Sequence, residues 1–320
     1  MSVRITEREV IKVSRMYYEL HMTQEEIAEH EGWSRPTVGR ILDRALKEGI
    51  VKISVLYPKN SIQRLESQLL SRFELTSAHV TPVYVDYLQS IGVDVGGNVG
   101  NYLTSILKPG DTIALSWGTT MSFVANNLPE WGGTKLTFVQ SNGGIGRMGL
   151  STDSAEIIEA FKRNFGGTGF LLPVPTIVDT QYIADAIKSD SMIKDIMEKV
   201  DRAEIVLFGI GKLSKTSVLY KAGYFEDREY DLLIKRGTVG DICSRFFDSN
   251  GNISDPDLDA RTIGITLTAL KKKKHSIAVA IGKEKCLPLL GALRGKFIST
   301  LFVDEILAQA LLDEANVRGI

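Results

Sequence analysis

The loop 116–120, Ser-Trp-Gly-Thr-Thr, lies between an apolar run of strand length and a helical pattern. Amide groups in the first turn of a helix lack partners within the helix and face the positive end of its dipole, so they attract anions. Gly118 permits close approach to the backbone, and Ser116, Thr119 and Thr120 add hydroxyl donors. The loop therefore predicts a phosphate site. A threonine that merely caps the helix gives the same pattern, and the Gly-Lys-Ser/Thr of a Walker sequence does not follow.

A second loop, 140–147, follows another short apolar run and contains Asn142 and the glycine pair Gly143-Gly144. Glycines let the backbone come close to a ligand, although a flexible surface loop is the alternative. The carboxyl ends of parallel strands form the usual ligand-binding edge of an open α/β sheet. We therefore expect this loop and the loop at Gly118 to face one crevice.

Two more loops carry charged groups. Asp241, in the turn 240–245, is suited to accept hydrogen bonds from sugar hydroxyls. Arg245 is suited either to a phosphate or to an internal ion pair with Asp241. A lysine in the loop 281–285 would offer a point charge to phosphate.

The residue pattern gives little support to catalysis or metal binding. The four histidines, His21, His30, His79 and His275, are scattered, and neither a Ser–His–Asp arrangement nor metal-ligand spacing is evident. The two cysteines are too few for a disulfide framework or a four-thiolate site. We expect no catalytic residue, no metal and no cofactor, while carboxylates remain possible acids or bases.

Short apolar runs alternate with helical patterns from about residue 78 onward. This alternation indicates βαβ units around a mostly parallel, Rossmann-like sheet covered on both faces. The predicted strands are 79–80, 112–115, 136–139, 205–208, 276–280 and 299–303.

The first 57 residues instead predict helices. A helix is expected over 7–20, and Thr23 followed by Glu26 forms a capping box that starts a short second helix. Gly32 ends this helix, Ser34 is placed to cap a third, and the third runs to about Lys47. Two short helices joined by a tight turn form a helix-turn-helix, whose second helix enters the major groove of DNA.

Charge placement supports a DNA-reading role for the third helix. Residues 1–57 hold nine Lys/Arg and nine Asp/Glu, but 24–31 are acidic whereas 34–47 are basic. Side chains near the start of the third helix are placed to read base edges, and later cations to meet phosphates. The DNA contacts expected are Ser34, Arg35, Thr37, Arg40 and Arg44. The segment 49–55 alternates like a strand and predicts a small wing.

The alternative to a DNA-binding domain is a three-helix protein-docking module whose charged residues form a solvated face.

Length and composition agree with two domains. The 320 residues, with 43% hydrophobic and 24% charged residues and a net charge of -1, are typical of a soluble globular protein. Bulk charge does not itself favour nucleic acid. The charged N-terminus lacks the apolar core of a signal peptide, and no apolar stretch of about 18 residues occurs, so we expect a cytoplasmic protein without a membrane partner.

The expected boundaries are a DNA-binding domain over 1–57, a linker and connecting helix over 58–75, and an α/β domain over 76–320. The segment 57–61 breaks structure, and apolar residues then recur at helical spacing from Ile62 to Phe73. That stripe either packs on the larger domain or pairs with a second chain.

Together these motifs resemble the SorC family of sugar-binding transcriptional regulators, nearly from end to end. The matching segments are TQEEIA at 23–28, SRPTV at 34–38, SWGTTM at 116–121, GGI at 143–145, GDICSRFFD at 240–248 and RTIGI at 261–265. The resemblance implies an effector domain folded like sugar-phosphate isomerases, a phosphorylated sugar as effector, and homo-dimers or homo-tetramers on double-stranded operator DNA. It also implies repression that the ligand relieves.

By matching position, the resemblance assigns the phosphate to Gly118, Thr119, Thr120 and Lys285, and sugar hydroxyls to Asp241. Where similar family members place a lysine before the paired glycines, this chain has Asn142, so an amine for a Schiff base is missing there. Ile281-Gly282 replaces an expected glycine pair before Lys285. We therefore expect noncovalent effector binding. The alternatives are an isomerase-like enzyme with a DNA-binding appendage, or a constitutive DNA-binding protein whose pocket has decayed.

Overall fold

The computed structural model describes residues 5–53, 60–132, 135–144 and 153–317, the side chains of 60 and 61 excepted. Contacts divide the chain into two units, Met1–Pro58 and Lys59–Ile320.

Within residues 5–53, the smaller unit consists of three helices: α1 (Glu7–Ser14, continued by a π-helical turn Arg15–Glu19), α2 (Gln24–Glu31) and α3 (Arg35–Lys47). The expected capping box starts α2, where the Glu26 amide donates to Thr23 Oγ1 at 3.2 Å and the Thr23 amide donates to Glu26 Oε2 at 2.7 Å. Gly32 ends α2 in the left-handed conformation, with φ of 71°. The helices meet around a core of buried residues: Val10, Val13, Ile27, Val38, Ile41 and Ala45.

Two predictions for this unit are corrected. Ser34 occupies the position before α3, but its hydroxyl lies 2.9 Å from Thr37 Oγ1 and makes no capping bond to a helix amide. The expected strand at 49–55 is absent from 49–53, where 49–51 form a turn and bends and 52–53 are irregular, and 54–55 lie outside the described residues.

The described residues of the larger unit form ten strands: β1 (Ser77–Thr81), β2 (Thr112–Leu115), β3 (Thr137–Gln140), β4 (Thr168–Phe170), β5 (Ile205–Gly209), β6 (Gly211–Lys212), β7 (Thr238–Ile242), β8 (Arg245–Asp248), β9 (His275–Ala280) and β10 (Thr300–Asp304). Seven make a parallel sheet in the order β1-β10-β9-β5-β2-β3-β4. The predicted parallel α/β sheet is therefore confirmed. The sequence reading missed the short β4 and the antiparallel sheet β6-β7-β8.

Helices surround the sheet: α4 (Asn60–Phe73), α5 (Leu88–Ile106), α6 (Thr119–Asn126), α7 (Ser154–Phe165), α8 (Gln181–Ser189), α9 (Ser191–Arg202), α10 (Val218–Lys221), α11 (Asp227–Lys235), α12 (Pro256–Ala260), α13 (Leu267–Leu270), α14 (Cys286–Arg294) and α15 (Glu305–Val317), with a 3-10 turn at Lys283–Lys285. Successive strand residues face opposite sides, so Ala114 joins one buried cluster while Ile113 and Leu115 join the other. Both faces of the sheet are covered, which explains the unbroken apolar runs.

Helix α4 belongs to the larger unit. Leu65 and Leu69 are buried in its core, and the Glu66 carboxylate accepts a hydrogen bond from the Val80 amide at 3.0 Å. Of the two alternatives for the apolar stripe, packing on the larger domain is the one observed. Residues 60–61 are already helical, whereas 57–59 of the expected break lie outside the described residues.

The order of the strands places a topological switch point between β2 and β5. From β2 the chain continues outward to β3 and β4, whereas β5 lies on the opposite side of β2 and leads to β9 and β10. The loops that leave two such strands diverge, which opens a crevice at their carboxyl ends.

Candidate functional site

A cavity of about 250 Å³ lies at this switch point, beyond the carboxyl ends of β2 and β5. We call it the switch-point cavity. It is lined by residues 116–120, Asn142, 209–212, Ser214, 216–219, Asp241, Cys243, Ser244, Glu284 and Lys285. The structure therefore brings together residues from all four loops that the sequence singled out.

The loop from β2 to α6 forms one wall of the cavity. Gly118 directly precedes α6 with φ of 111°, a backbone conformation that other residues rarely adopt. The hydroxyls of Thr119 and Thr120 have no hydrogen-bond partner among the residues that the structure describes. Ser116 is buried, and its oxygen accepts a hydrogen bond from the Gly209 amide at 3.3 Å. The first turn of α6 thus offers free donors to the cavity.

Asp241, on β7, also lines the cavity. Its Oδ2 accepts a hydrogen bond from the Ser244 amide at 3.1 Å. Burial raises the pKa of Asp241 to about 6, while the positive charge of Lys285 and the Ser244 amide act in the other direction. The carboxylate is ionised above about pH 6 and can therefore accept hydrogen bonds from a ligand at neutral pH.

Two lysines contribute positive charge to the cavity. Burial lowers the pKa of Lys285, and the nearby Asp241 carboxylate raises it. Lys212, on β6, lines the cavity close enough to Lys285 that its charge lowers the pKa of that residue. Within the described part of the chain, neither ammonium group forms an ion pair with a carboxylate. Both are thus available to an anionic ligand.

Asn142 lines the cavity and is held by several hydrogen bonds. Its Nδ2 donates to Ser244 Oγ at 3.2 Å and to Thr176 Oγ1 at 3.4 Å, while its Oδ1 accepts from Ser141 Oγ at 3.0 Å. Cys243 also faces the cavity, and burial raises the pKa of its thiol to about 12, which keeps it protonated.

Gly143 and Gly144, which the sequence placed in the ligand site, do not line the cavity. Their amides donate to the carbonyls of Ile263 and Val174, both at 3.0 Å. A side chain on Gly143 would meet the carbonyl oxygens of Val174 and Pro175 at 2.6 Å, so close packing of backbone requires the glycine. Residues 145–147 of this loop lie outside the described residues.

Arg245 is also absent from the cavity. It is 3% exposed, and its guanidinium donates to the carbonyls of Ile265, Thr262 and Gly264 and to the carbonyl and carboxylate of Asp259. The internal ion pair is therefore the alternative observed, and its partner is Asp259, at 2.6 Å, rather than Asp241.

The sequence reading missed the wall formed after β5, at 209–212, and the hydroxyl-rich segment 214–217. A signal was present, because Gly209-Ile210-Gly211 directly follows the apolar run 205–208. The segment is tied down by Tyr230, whose hydroxyl donates to the Ser214 carbonyl at 2.8 Å.

In the smaller unit, the expected DNA contacts lie on or beside α3. Arg35 and Arg40 are exposed; Arg35 Nε lies 3.0 Å from Glu25 Oε1, and Arg40 donates to Thr37 Oγ1 at 3.3 Å. Arg44 is held more tightly, since it donates to the Ile5 carbonyl at 2.9 Å and to Glu48 at 2.8 Å.

Neither a cluster of three metal-ligating side chains nor a helix suited to cross a bilayer is found in the described ranges.

Comparison with known proteins places these features in a family. A family model for a sugar-binding domain matches residues 58–313, which include every residue that lines the cavity. The deoxyribonucleoside regulator of Bacillus subtilis is 37% identical over 308 residues, covering 95% of this chain and 97% of the relative. The chain belongs to the SorC family of sugar-binding transcriptional regulators.

Two further comparisons concern a sorbitol operon regulator. The sorbitol operon regulator of Klebsiella pneumoniae is 30% identical over 308 residues, covering 95% of this chain and 98% of the relative. The crystal structure of that full-length regulator matches with a TM-score of 0.77 and covers 97% of this chain and all of that one. This SorC-family member therefore shares both sequence and fold with the relative along nearly its whole length.

Proposed function

We propose that this regulator is a DNA-binding repressor of a carbohydrate uptake or catabolism operon, and that a phosphorylated sugar bound noncovalently in the switch-point cavity controls it. The observation that carries the proposal is the composition of the cavity. Free amides and hydroxyls at the start of α6 and the ammonium groups of Lys212 and Lys285 suit a phosphate, while Asp241 suits sugar hydroxyls.

The smaller unit supplies the proposed DNA reader. Helices α2 and α3, joined by the turn at Gly32, form a helix-turn-helix, and α3 presents Arg35, Thr37 and Arg40 near its start. In this arrangement α3 enters the major groove. We propose that homo-dimers or homo-tetramers place two such helices on a symmetric operator, since operator symmetry mirrors protein symmetry.

The proposed mechanism is binding without turnover. Asn142 has no amine to form a Schiff base, and it is committed to a network of buried hydrogen bonds. A sugar phosphate acts on DNA binding through unequal affinity for two arrangements of the protein, which requires no chemical step.

A thermal-shift screen tests the site. Pentose and hexose phosphates are compared with the same sugars lacking phosphate, because a ligand that binds the native state raises the melting temperature. We expect stabilisation by at least one phosphorylated sugar and little by its unphosphorylated form. Equal effects of the two forms, or formation of an isomerised product, would contradict the proposal.

The noncovalent mode has its own test. After incubation with the stabilising sugar phosphate and reduction with borohydride, the intact mass of the protein is expected to remain unchanged. A stable adduct would show that another amine, such as that of Lys285, replaces the missing lysine at position 142.

A further inference from the structure

The cations of α3 are held in different ways. Arg40 is bonded within α3, to Thr37 Oγ1 at 3.3 Å and to the Pro36 carbonyl at 3.4 Å. Arg44 is bonded to Glu48 one turn later and to the Ile5 carbonyl. Arg35 is instead held from α2, by the Glu25 carboxylate at 3.0 Å.

The position of Arg35 explains why such a partner matters. Arg35 is the first residue of α3, where the positive end of the helix dipole disfavours a cation, and the first turn of α3 contains no acidic residue. Glu25 is the second residue of α2, where the dipole favours an anion. The ion pair therefore offsets an unfavourable cation and favours one direction for a side chain that has many rotamers of its own.

The geometry of the ion pair leaves the two terminal guanidinium nitrogens of Arg35 free to contact a base. The contact is made at Nε. Among the described residues, the two terminal nitrogens of Arg35 have no hydrogen-bond partner, and they are the pair that can contact O6 and N7 of a guanine. Both side chains remain well exposed, at 65% for Arg35 and 60% for Glu25, so nothing blocks access from solvent.

We propose that Glu25 is a positioning residue of the DNA reader. Its carboxylate directs the Arg35 guanidinium toward a base edge. Its negative charge also disfavours sequence-independent binding of α3 to DNA phosphates. The inference rests on the proposed DNA-binding function. An exposed ion pair changes an equilibrium by about fivefold at most, so the effect lies in sequence preference rather than in folding.

The test is selection of duplexes from a random pool by the full chain, comparing wild type with Glu25→Gln, Arg35→Ala and the double variant. Arg35→Ala identifies the base position that this arginine reads. Glu25→Gln is expected to lower the preference at that position about two- to fivefold while affinity for unselected duplex stays equal or rises. In the Arg35→Ala background, Glu25→Gln is expected to cause no further loss of preference.

Glu29→Gln is the matched control. It removes the same charge one helical turn later on α2, from an exposed residue that has no ion pair in the described part of the chain. Its base preferences should equal those of wild type. Glu25→Asp keeps the charge on a shorter side chain and should restore part of the base preference that is lost in Glu25→Gln. Such a partial recovery would follow the negative charge at position 25 and would separate its effect from a change in folding.

Several outcomes would overturn the inference. One is an unchanged preference in Glu25→Gln, and another is an equal loss in Glu25→Gln and Glu29→Gln, which would indicate a general charge effect. A third is an additional loss of preference in the double variant. If wild type enriches no sequence at all, the proposed DNA-reading function itself fails, and this inference fails with it.

Discussion

Gly211 on β6 pairs with Asp241 on β7, and a Cβ atom at position 211 would overlap the Asp241 carboxylate. The absence of a side chain at position 211 thus gives the proposed sugar-binding carboxylate its place in the switch-point cavity. Specificity in this pocket depends on backbone packing as well as on the polar groups themselves.

Gly211→Ala is expected to displace Asp241. The displaced carboxylate would lose its hydrogen bond from the Ser244 amide, which should lower the free energy of unfolding by about 1–3 kcal/mol and should weaken binding of the stabilising sugar phosphate. Chemical denaturation and calorimetric titration measure the two effects. Gly97→Ala is the control, because a Cβ there meets nothing within 4 Å and alanine favours the helix. Equal ligand affinity in Gly211→Ala and wild type would contradict the packing argument.

Asp241 is expected to make stability depend on pH. Its pKa is raised from 3.8 to about 6 in the folded protein, so the folded state binds this proton more tightly than the unfolded chain. The stabilising contribution is fully present below about pH 4 and is lost as the pH rises through about 6. Asp241→Asn should therefore be more stable than wild type at about pH 7.5, by up to about 3 kcal/mol, and no more stable at about pH 4.

Ligand binding should show the opposite dependence. Protonated Asp241 is a weaker acceptor for sugar hydroxyls, so affinity in wild type is expected to fall as the pH drops below about 6. The phosphate of the ligand also titrates near pH 6. Titrations of Asp241→Asn across the same pH range isolate the phosphate contribution, and identical pH profiles for the two proteins would exclude a role for Asp241.

The hydroxyls at the start of α6 are expected to bind the phosphate. Thr119→Val combined with Thr120→Val removes two donors. The affinity for the sugar phosphate should fall by at least about tenfold, since hydrogen bonds to charged groups contribute about 1.5–3 kcal/mol each. The variant with Thr119→Ser and Thr120→Ser retains both hydroxyls and should bind the sugar phosphate with nearly wild-type affinity. DNA affinity without ligand should be the same in all three proteins. Wild-type ligand affinity in the valine variant would place the phosphate elsewhere.

The two cavity lysines should discriminate phosphorylated from unphosphorylated sugars. Lys285→Met and Lys212→Met are each expected to lower affinity for the sugar phosphate about tenfold or more, while the already weak binding of the free sugar changes little. Lys283→Met is the control, because Lys283 is exposed on the same turn as Lys285 but does not line the cavity. If Lys283→Met lowered the affinity for the sugar phosphate as much as the other two substitutions, a general effect of surface charge would explain the loss better than contacts in the cavity.

The sequence predicted those features that follow from local rules. Continuous apolar runs indicated six strands of the parallel sheet, and the capping box at Thr23 located α2, because both signals depend on neighbours along the chain. The loop at Gly118 was placed at the ligand edge because the carboxyl end of a strand and the start of a helix meet there.

Features that depend on distant contacts were not predictable. The pair Gly143-Gly144 looks like a ligand loop, yet Gly143 packs on the backbone at 174–175, which lies far away in sequence. Arg245 forms its ion pair with Asp259 rather than with Asp241, because the chain folds back at 259–265 and surrounds the guanidinium. Lys212 and the segment 214–217 became part of the cavity only because β5 lies next to β2 in the sheet.

The central claim is that occupancy of the switch-point cavity changes DNA binding. The direct measurement is the affinity of the full chain for a selected operator duplex at fixed salt, with and without a saturating concentration of the stabilising sugar phosphate. We expect the ligand to weaken operator binding at least about fivefold, with no such effect in the Thr119→Val, Thr120→Val variant. Equal operator affinity of the ligand-free and ligand-saturated wild-type protein would contradict the account.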